Sequence, residues 1–317
     1  MNLNKKTKVK KGISLIVLII TIIVVIILAA VVILSLSKDG GIINKARYAK
    51  DEYNKIEYRD RINEAYTIVK NKQEMQGKPD REIFEEVKKS LNFDKAKYEI
   101  SDKSMNITTK EGYEYTLIGD GKVYDEKVAI LDIADGNIDL YSNGYKQYTG
   151  ALERLNKNGS TSFTGKYLIT GTTTENVVRV CDEGTYNITI KDLNIDVSNS
   201  STNQSPFSTN AGMKATGCFA YLNLEGNNVF KGKSSPGLKA GGGTPNVDGV
   251  TNGSKLVIDG SGYLKAVGNA PVYDGSGIGG QTTPAGVVSN ITINSGNIIA
   301  ECTGHGAGIR SRTISEC

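Results

Sequence analysis

The sequence predicts a mainly β protein whose largest part is a right-handed parallel β-helix, that is, a solenoid of stacked coils. Two observations in residues 188–309 predict the solenoid: a strand pattern that repeats about every 34 residues, and a glycine followed by an apolar residue within each repeat. A third observation, an uncharged apolar run near the N-terminus, predicts one transmembrane helix ahead of it. A β-sandwich is the alternative, although its strands would not carry so strict a repeat length.

The strand pattern aligns when it is anchored on Ile190, Leu224, Ile258 and Ile293, which are 34, 34 and 35 residues apart. Each copy alternates apolar and polar residues, and then has an acidic or amide position, a small residue or turn, and a second apolar step. One such unit cannot bury its apolar face alone, whereas stacked copies share a continuous core. The aligned segments are Ile188–Ile195, Leu222–Val229, Leu256–Tyr263 and Ile291–Ile298.

The glycine signature gives independent support for the coils. Its four copies are Gly212-Met213, Gly237-Leu238, Gly277-Ile278 and Gly308-Ile309. We expect each copy to occupy the same corner of successive coils, where Gly, Asn, Asp and Ser are favoured. After Ile309 the chain continues as Arg310–Cys317 without a further glycine-rich corner. A solenoid needs a polar cap, so a truncated or frameshifted C-terminus is one interpretation.

The predicted transmembrane helix spans Ile13 to Leu36, where no side chain is charged. Its 24 residues would form a helix of about 36 Å, which is enough to cross the hydrocarbon core of a bilayer. Five of the 38 basic residues precede it, leaving 33 basic against 34 acidic residues beyond Gly12. This asymmetry predicts a single-pass protein with a cytoplasmic N-terminus and an extracellular C-terminal domain in the cell membrane. A near-neutral ectodomain does not favour nucleic acid as a partner.

The segment Lys10-Lys11-Gly12-Ile13-Ser14-Leu15-Ile16-Val17 resembles the prepilin leader of type IV pilins and type II secretion pseudopilins. The resemblance implies that a prepilin peptidase cuts after Gly12, leaving Ile13 as a new N-terminus that can be N-methylated. Two positions differ from the family pattern. Ile13 replaces the usual Phe, and Val17 replaces the usual Glu, which puts polymerisation into a pilus in doubt. An uncut signal anchor is the alternative.

The chain divides into five predicted segments. Beyond the membrane, a helical stripe through Ile42, Ala46, Ala49, Tyr53 and Ile56 predicts an amphipathic spine. A short helix from Pro79 and several short strands then predict a pilin-like module. The segments are the leader 1–12, the transmembrane helix 13–37, the juxtamembrane helix 38–77, the small α+β module 78–127 and the β-helix 128–317, the last with its C-terminus truncated under the interpretation above.

The solenoid repeats resemble glycine-rich repeats in large surface proteins of Gram-positive bacteria that are described as carbohydrate-binding. The resemblance covers about residues 128–309. It is carried by Asp135–Ile138, Gly144-Tyr145, Phe163–Gly165, Ile169–Thr173, Leu224–Gly226 and Gly277–Gly280. It implies an extracellular solenoid with a glycan ligand.

The residues that could face a ligand are few. Asp192, Glu225 and Asp259 occupy neighbouring repeat positions and could form a ladder of acids, while Tyr141 and Tyr145 lie near the solenoid entrance, where aromatic rings could hold sugars. The pattern predicts no catalytic residues and no cofactor. Four distant cysteines and a single histidine, His305, do not favour a metal site.

Three functions therefore stand. The first is a membrane-anchored surface protein whose β-helix binds carbohydrate or serves as an adhesive stalk, with the bilayer, a prepilin peptidase and a glycan as partners. The second is a lyase or glycosidase acting on polysaccharide, since β-helices host such enzymes and a glycosidase needs paired carboxylates. The third is a minor pilin or pseudopilin subunit.

Overall fold

A computed structural model describes two compact units, Met1–Ala65 and Tyr66–Cys317. The described residues are 15–37, 42–149, 161–163, 165–201, 203–209, 218–240, 255–269, 275–280, 290–303 and 306–310. The leader, with Gly12 and Ile13, lies outside them, as do His305 and the C-terminal segment 311–317. Each unit is described by itself below.

The first unit is helical. Helix α1 runs from Leu15 to Ser37, and α2 begins at Ile42 and continues to Lys70. Within α1 the 18 residues Ile16–Ile33 have a mean hydropathy of 3.8 and none is buried. The helix is thus long and apolar enough to cross a membrane, by length and composition. In α2, Tyr53 and Ile56 of the predicted stripe are exposed.

The second unit starts with a small helix-and-sheet module. A 3-10 turn (Gln73–Met75) leads to α3 (Asp80–Leu91), which buries Ile83, Phe84, Val87 and Leu91 and ends at Asn92 in a left-handed conformation. Four antiparallel strands then pair in chain order. They are β1 (Lys97–Ile100), β2 (Ser104–Thr108), β3 (Glu114–Ile118) and β4 (Val123–Tyr124).

The rest of the second unit is a β-solenoid of about four turns, built from two sheets. The first sheet, called here the broad sheet, is entirely parallel. It contains β5 (Val128–Asp132), β9 (Lys166–Thr173), β11 (Gly184–Asp196), β13 (Cys218–Glu225), β14 (Asn227–Lys231), β16 (Lys255–Gly260), β17 (Tyr263–Gly268), β19 (Asn290–Ile293) and β20 (Asn297–Cys302).

The second sheet, called here the narrow sheet, closes the other side of the coils. Its first strands, β6 (Asn137–Tyr141), β7 (Gly144–Tyr148) and β8 (Thr161–Ser162), form an antiparallel hairpin extension. The others are parallel: β10 (Val178–Val180), β12 (Phe207–Thr209), β15 (Leu238–Ala240), β18 (Ile278–Gly279) and β21 (Ile309–Arg310). The core lies between the two sheets and includes a stacked pair, Phe207 and Phe230, with ring centroids 5.7 Å apart.

The coil register differs from the predicted one at a single step. Ile190 lies opposite Leu224 as expected, and Ile258 lies opposite Ile293. However, Ile258 pairs with Leu222, and Leu224 faces Gly260. The predicted pairing of Leu224 with Ile258 is therefore wrong by two residues. Strand side chains alternate with a period of two, so a two-residue slip keeps the same apolar face inward and leaves no trace in the pattern.

The glycine signature is confirmed for three of its four copies. Leu238, Ile278 and Ile309 lie opposite one another along the narrow sheet. In the preceding coil Phe207 lies opposite both Val178 and Leu238, and the fourth copy, Gly212-Met213, lies outside the described residues. Glycine is required because the next coil is very close. A Cβ on Gly277 would lie 2.5 Å from the Glu301 amide nitrogen.

Candidate functional site

A groove of about 620 Å³ lies on the outer face of the broad sheet, over β11, β13 and β16. Its floor consists of side chains that alternate with the buried Ile188 and Leu222, and therefore point away from the core. One wall comes from the module and comprises Lys122, Tyr124 and Glu126, with Lys166 of β9 beside it. The groove is thus assembled from both parts of the second unit.

Two rows of side chains make the floor. In the first row, Thr189, Asn223 and Asp259 lie opposite one another on successive strands, and Asn294 continues the row just after β19. The second row contains Asn187, Tyr221 and Val257, again in register. Hydroxyl, amide and carboxylate groups in the first row can donate and accept hydrogen bonds in several directions. The floor is therefore rich in uncharged hydrogen-bonding groups.

Tyr221 is the aromatic residue in the middle of the floor. Its side chain is 42% exposed, so much of the ring is open to solvent. Asn187 lies opposite it on the neighbouring strand, and Asn223 follows two residues later on the same face. Two residues earlier on β13, Phe219 is similarly exposed at 39% but does not line the groove.

Most charges in the groove are paired. Lys122 binds Glu225, and Lys166 binds Glu126 with 2.6 Å between Nζ and Oε1. Asp259 accepts hydrogen bonds from the Ser295 hydroxyl, from the Gly260 amide at 2.8 Å and from Asn294. The Ser295 bond contributes most to lowering the pKa of Asp259 below 3.8, so this carboxylate is charged at neutral pH.

The structure brings two of the predicted acids, Glu225 and Asp259, into the groove, but the three do not form one ladder. Glu225 lies opposite Lys191, whereas Asp259 lies opposite Asn223 in a different row. Asp192 lies where the register shifts between β9 and β11, with a φ of 51°. Its Oδ1 accepts a hydrogen bond of 2.9 Å from the Asn227 amide, so it serves the turn.

The two predicted tyrosines lie elsewhere, on the hairpin of the narrow sheet. Tyr145 makes edge-to-face contacts with Phe163 and Tyr167, at 6.3 and 6.2 Å between ring centroids, and packs on the solenoid core. Tyr141 is half-buried, and burial is the largest of the causes that raise its pKa to about 12. Neither lines the groove.

Sequence reasoning missed Tyr221, Asn187 and Asn223. The signal was available in β13, where Ala220, Leu222 and Leu224 are buried and the residues between them point outward. An aromatic residue on the outward phase of a strand indicates an exposed ring. Within the described ranges, no cluster of three His, Cys, Asp or Glu residues could hold a metal ion.

Comparisons with known proteins give no parallel for this arrangement: neither the family models, nor the curated proteins, nor the solved structures include a match to the chain. The chemistry of the groove is therefore the basis for a function.

Proposed function

We propose that the chain is a membrane-anchored, prepilin-like bacterial surface protein whose extracellular solenoid binds carbohydrate in the groove. The observation that carries the proposal is the open ring of Tyr221 beside Asn187 and Asn223. A sugar ring has an apolar C–H face and a rim of hydroxyl groups. The aromatic ring suits the face, and the amides suit the rim.

The anchoring part of the proposal is supported by the N-terminal segment. Helix α1 contains an uncharged span of sufficient length, and the lysines before it favour a cytoplasmic N-terminus. Prepilin peptidase processing after Gly12 is proposed from the resemblance at Lys10–Val17 alone. We also propose a right-handed coil, since parallel crossover connections are right-handed in nearly all known cases.

The test is glycan binding by the full chain in lipid nanodiscs, measured by calorimetry with cello-, xylo- and chito-oligosaccharides. Tyr221→Ala is expected to weaken binding about tenfold or more, equivalent to about 1.4 kcal/mol, because the stacking face is lost. The matched control is Phe219→Ala, which removes an equally exposed ring from the same strand outside the groove. Equal losses in both variants, or no binding by the unmodified chain, would contradict the proposal.

The second candidate is an enzyme that cleaves polysaccharide. It is favoured by the three carboxylates of the groove, on Glu126, Glu225 and Asp259, because glycosidases use paired acids. Glu126 and Glu225 are, however, already engaged in ion pairs with Lys166 and Lys122. Incubation of the full chain with pectin, hyaluronan and bacterial cell-wall glycans distinguishes the candidates. New reducing or unsaturated ends would establish the enzyme.

A further inference from the structure

The first row of the groove floor supplies one polar side chain from each of four successive coils. Thr189 comes from β11, Asn223 from β13, Asp259 from β16 and Asn294 from the residue after β19. Register partners on neighbouring strands lie along the solenoid axis, because the coils are stacked along that axis. The row therefore presents a repeating series of hydrogen-bonding groups parallel to the axis.

The spacing of the side chains along this row matches the spacing of sugar units in a polysaccharide. Neighbouring strands are about 4.8 Å apart, so the four positions span about 14 Å. The spacing of about 4.8 Å between neighbouring strands is close to the length of one sugar unit in an extended β-linked polysaccharide. A chain lying along the axis would place one sugar opposite each coil. A chain lying across the axis would meet one coil only and would not use the row.

The charges of the groove disfavour an acidic ligand. Its lining contains three carboxylates, on Glu126, Glu225 and Asp259, against two ammonium groups, on Lys122 and Lys166. Both lysines are already in ion pairs. A uronate or sulfate would have to break those pairs or face an excess negative charge, whereas uncharged hydroxyl groups need neither.

We infer that the ligand is a linear, uncharged polysaccharide that lies along the solenoid axis with one sugar ring at each of four coils. This inference rests on the proposed carbohydrate-binding function and names its substrate class and orientation. Thr189, Asn223, Asp259 and Asn294 define the four subsites. Tyr221 provides the stacking surface beside the second of them, since it lies two residues before Asn223 on the same strand face.

The experiment is a chain-length series with the full chain in nanodiscs. Cello-, xylo- and chito-oligosaccharides of one to six rings are titrated by calorimetry, together with oligogalacturonates and hyaluronan fragments of matched length. The dissociation constant in at least one neutral series is expected to fall with each ring up to four and then to stay constant. The acidic series is expected to bind at least tenfold more weakly.

A variant at the end of the row makes the test specific. Asn294→Ala is expected to move the plateau from four rings to three, because the last subsite loses its side chain. The matched control is Asn297→Ala, an exposed asparagine of the same coil outside the groove, which is expected to leave the plateau at four. A plateau at one or two rings, or tighter binding of the acidic series, would overturn the inference and leave carbohydrate binding standing. Absence of binding in every series would remove both.

Discussion

Asp139 and Arg179 form a buried ion pair on the outer side of the narrow sheet. They lie opposite each other on β6 and β10, with 2.7 Å between Arg179 Nε and Asp139 Oδ1. Asp139 is 1% exposed and Arg179 is 8% exposed. The Tyr148 hydroxyl donates a second hydrogen bond to Asp139, while Arg179 Nη2 is buried without a hydrogen-bond partner among the residues that the structure describes. Such a pair contributes little by its presence, but loss of one partner is costly.

Replacing one partner should therefore destabilise the solenoid. Arg179→Met is expected to lower the free energy of unfolding by about 3–5 kcal/mol, because it breaks a buried ion pair. Lys146, which is buried and lies opposite Asp139 on β7, is the cation that stays beside the carboxylate. The double variant Asp139→Leu with Arg179→Met removes both members of the pair and is expected to recover part of that loss, since Lys146 keeps its buried charge opposite position 139. Thermal unfolding of the full chain, followed by circular dichroism, measures both effects.

The control is Lys231→Met, which removes the cation of a more exposed pair with Asp196. Its expected loss is below about 1 kcal/mol, as for surface ion pairs in general. A double variant as unstable as Arg179→Met alone would show that packing, and not the broken ion pair, causes the loss.

At the scale of the elements, alternation and turn residues were enough to predict the strands, and not enough to predict how they pair. The strand residues around Ile190, Leu224, Ile258 and Ile293 were predicted correctly because they alternate with outward polar residues. The extra two residues between Leu222 and Ile258 could not be found, since connecting segments of either length leave the apolar phase unchanged. Phe207 lies between Val178 and Leu238 in the narrow sheet, a position that requires only an apolar residue.

Two ion pairs join the turn between β3 and β4 to the outer face of the broad sheet. Asp120 accepts a hydrogen bond from Lys191 of β11, and Lys122 binds Glu225 of β13. Burial alone would raise the pKa of Asp120. The hydrogen bonds from Lys191 and from the Lys122 amide outweigh it and hold the pKa below 3.8. The charged form is therefore the one that the folded state prefers.

This depressed pKa predicts the direction of an acid effect. The contribution of Asp120 to stability is complete above its unfolded pKa of about 3.9 and is lost as the pH falls through the lower folded value. The melting temperature of Asp120→Asn should thus fall less between pH 5 and pH 3 than that of the unmodified chain. Asp102→Asn, in an exposed pair with Arg81, serves as the control and should follow the unmodified chain. If the melting temperatures of Asp120→Asn and the unmodified chain fell in parallel with pH, the depressed pKa of Asp120 would be refuted.

At the scale of the whole molecule, the sequence predicted an apolar N-terminal helix followed by a solenoid, and the structure contains both. It did not predict the groove. Lys122 and Glu225 are 103 residues apart in sequence, and the wall forms only when the module packs beside β13. Periodicity reports the local environment of a strand and carries no information about which distant segment covers it. For this reason the predicted ligand-facing residues agree only in part with the groove: Glu225 and Asp259 line it, whereas Asp192, Tyr141 and Tyr145 do not.

The proposed processing of the N-terminus is tested by mass spectrometry of the full chain expressed together with a prepilin peptidase. The mature protein is expected to begin at Ile13, with a mass that also reports N-methylation. Gly12→Val should block cleavage, because the leader of this class ends in glycine. Val17→Glu, which restores the usual residue inside the helix, should be cleaved as before. An N-terminus that keeps residues 1–12 with the peptidase present would instead support an uncut signal anchor.

The parallel pairing of the coils has a mechanical consequence. Hydrogen bonds between successive coils lie along the axis. Tension between the two ends of the solenoid is therefore carried by every layer in series, and the layers separate one at a time. The chain advances 36 residues from Leu222 to its register partner Ile258, a length that extends to about 120 Å once that layer gives way. A solenoid under load would lengthen stepwise and dissipate mechanical energy at each step. A solenoid built in this way can absorb mechanical strain while its remaining layers stay paired.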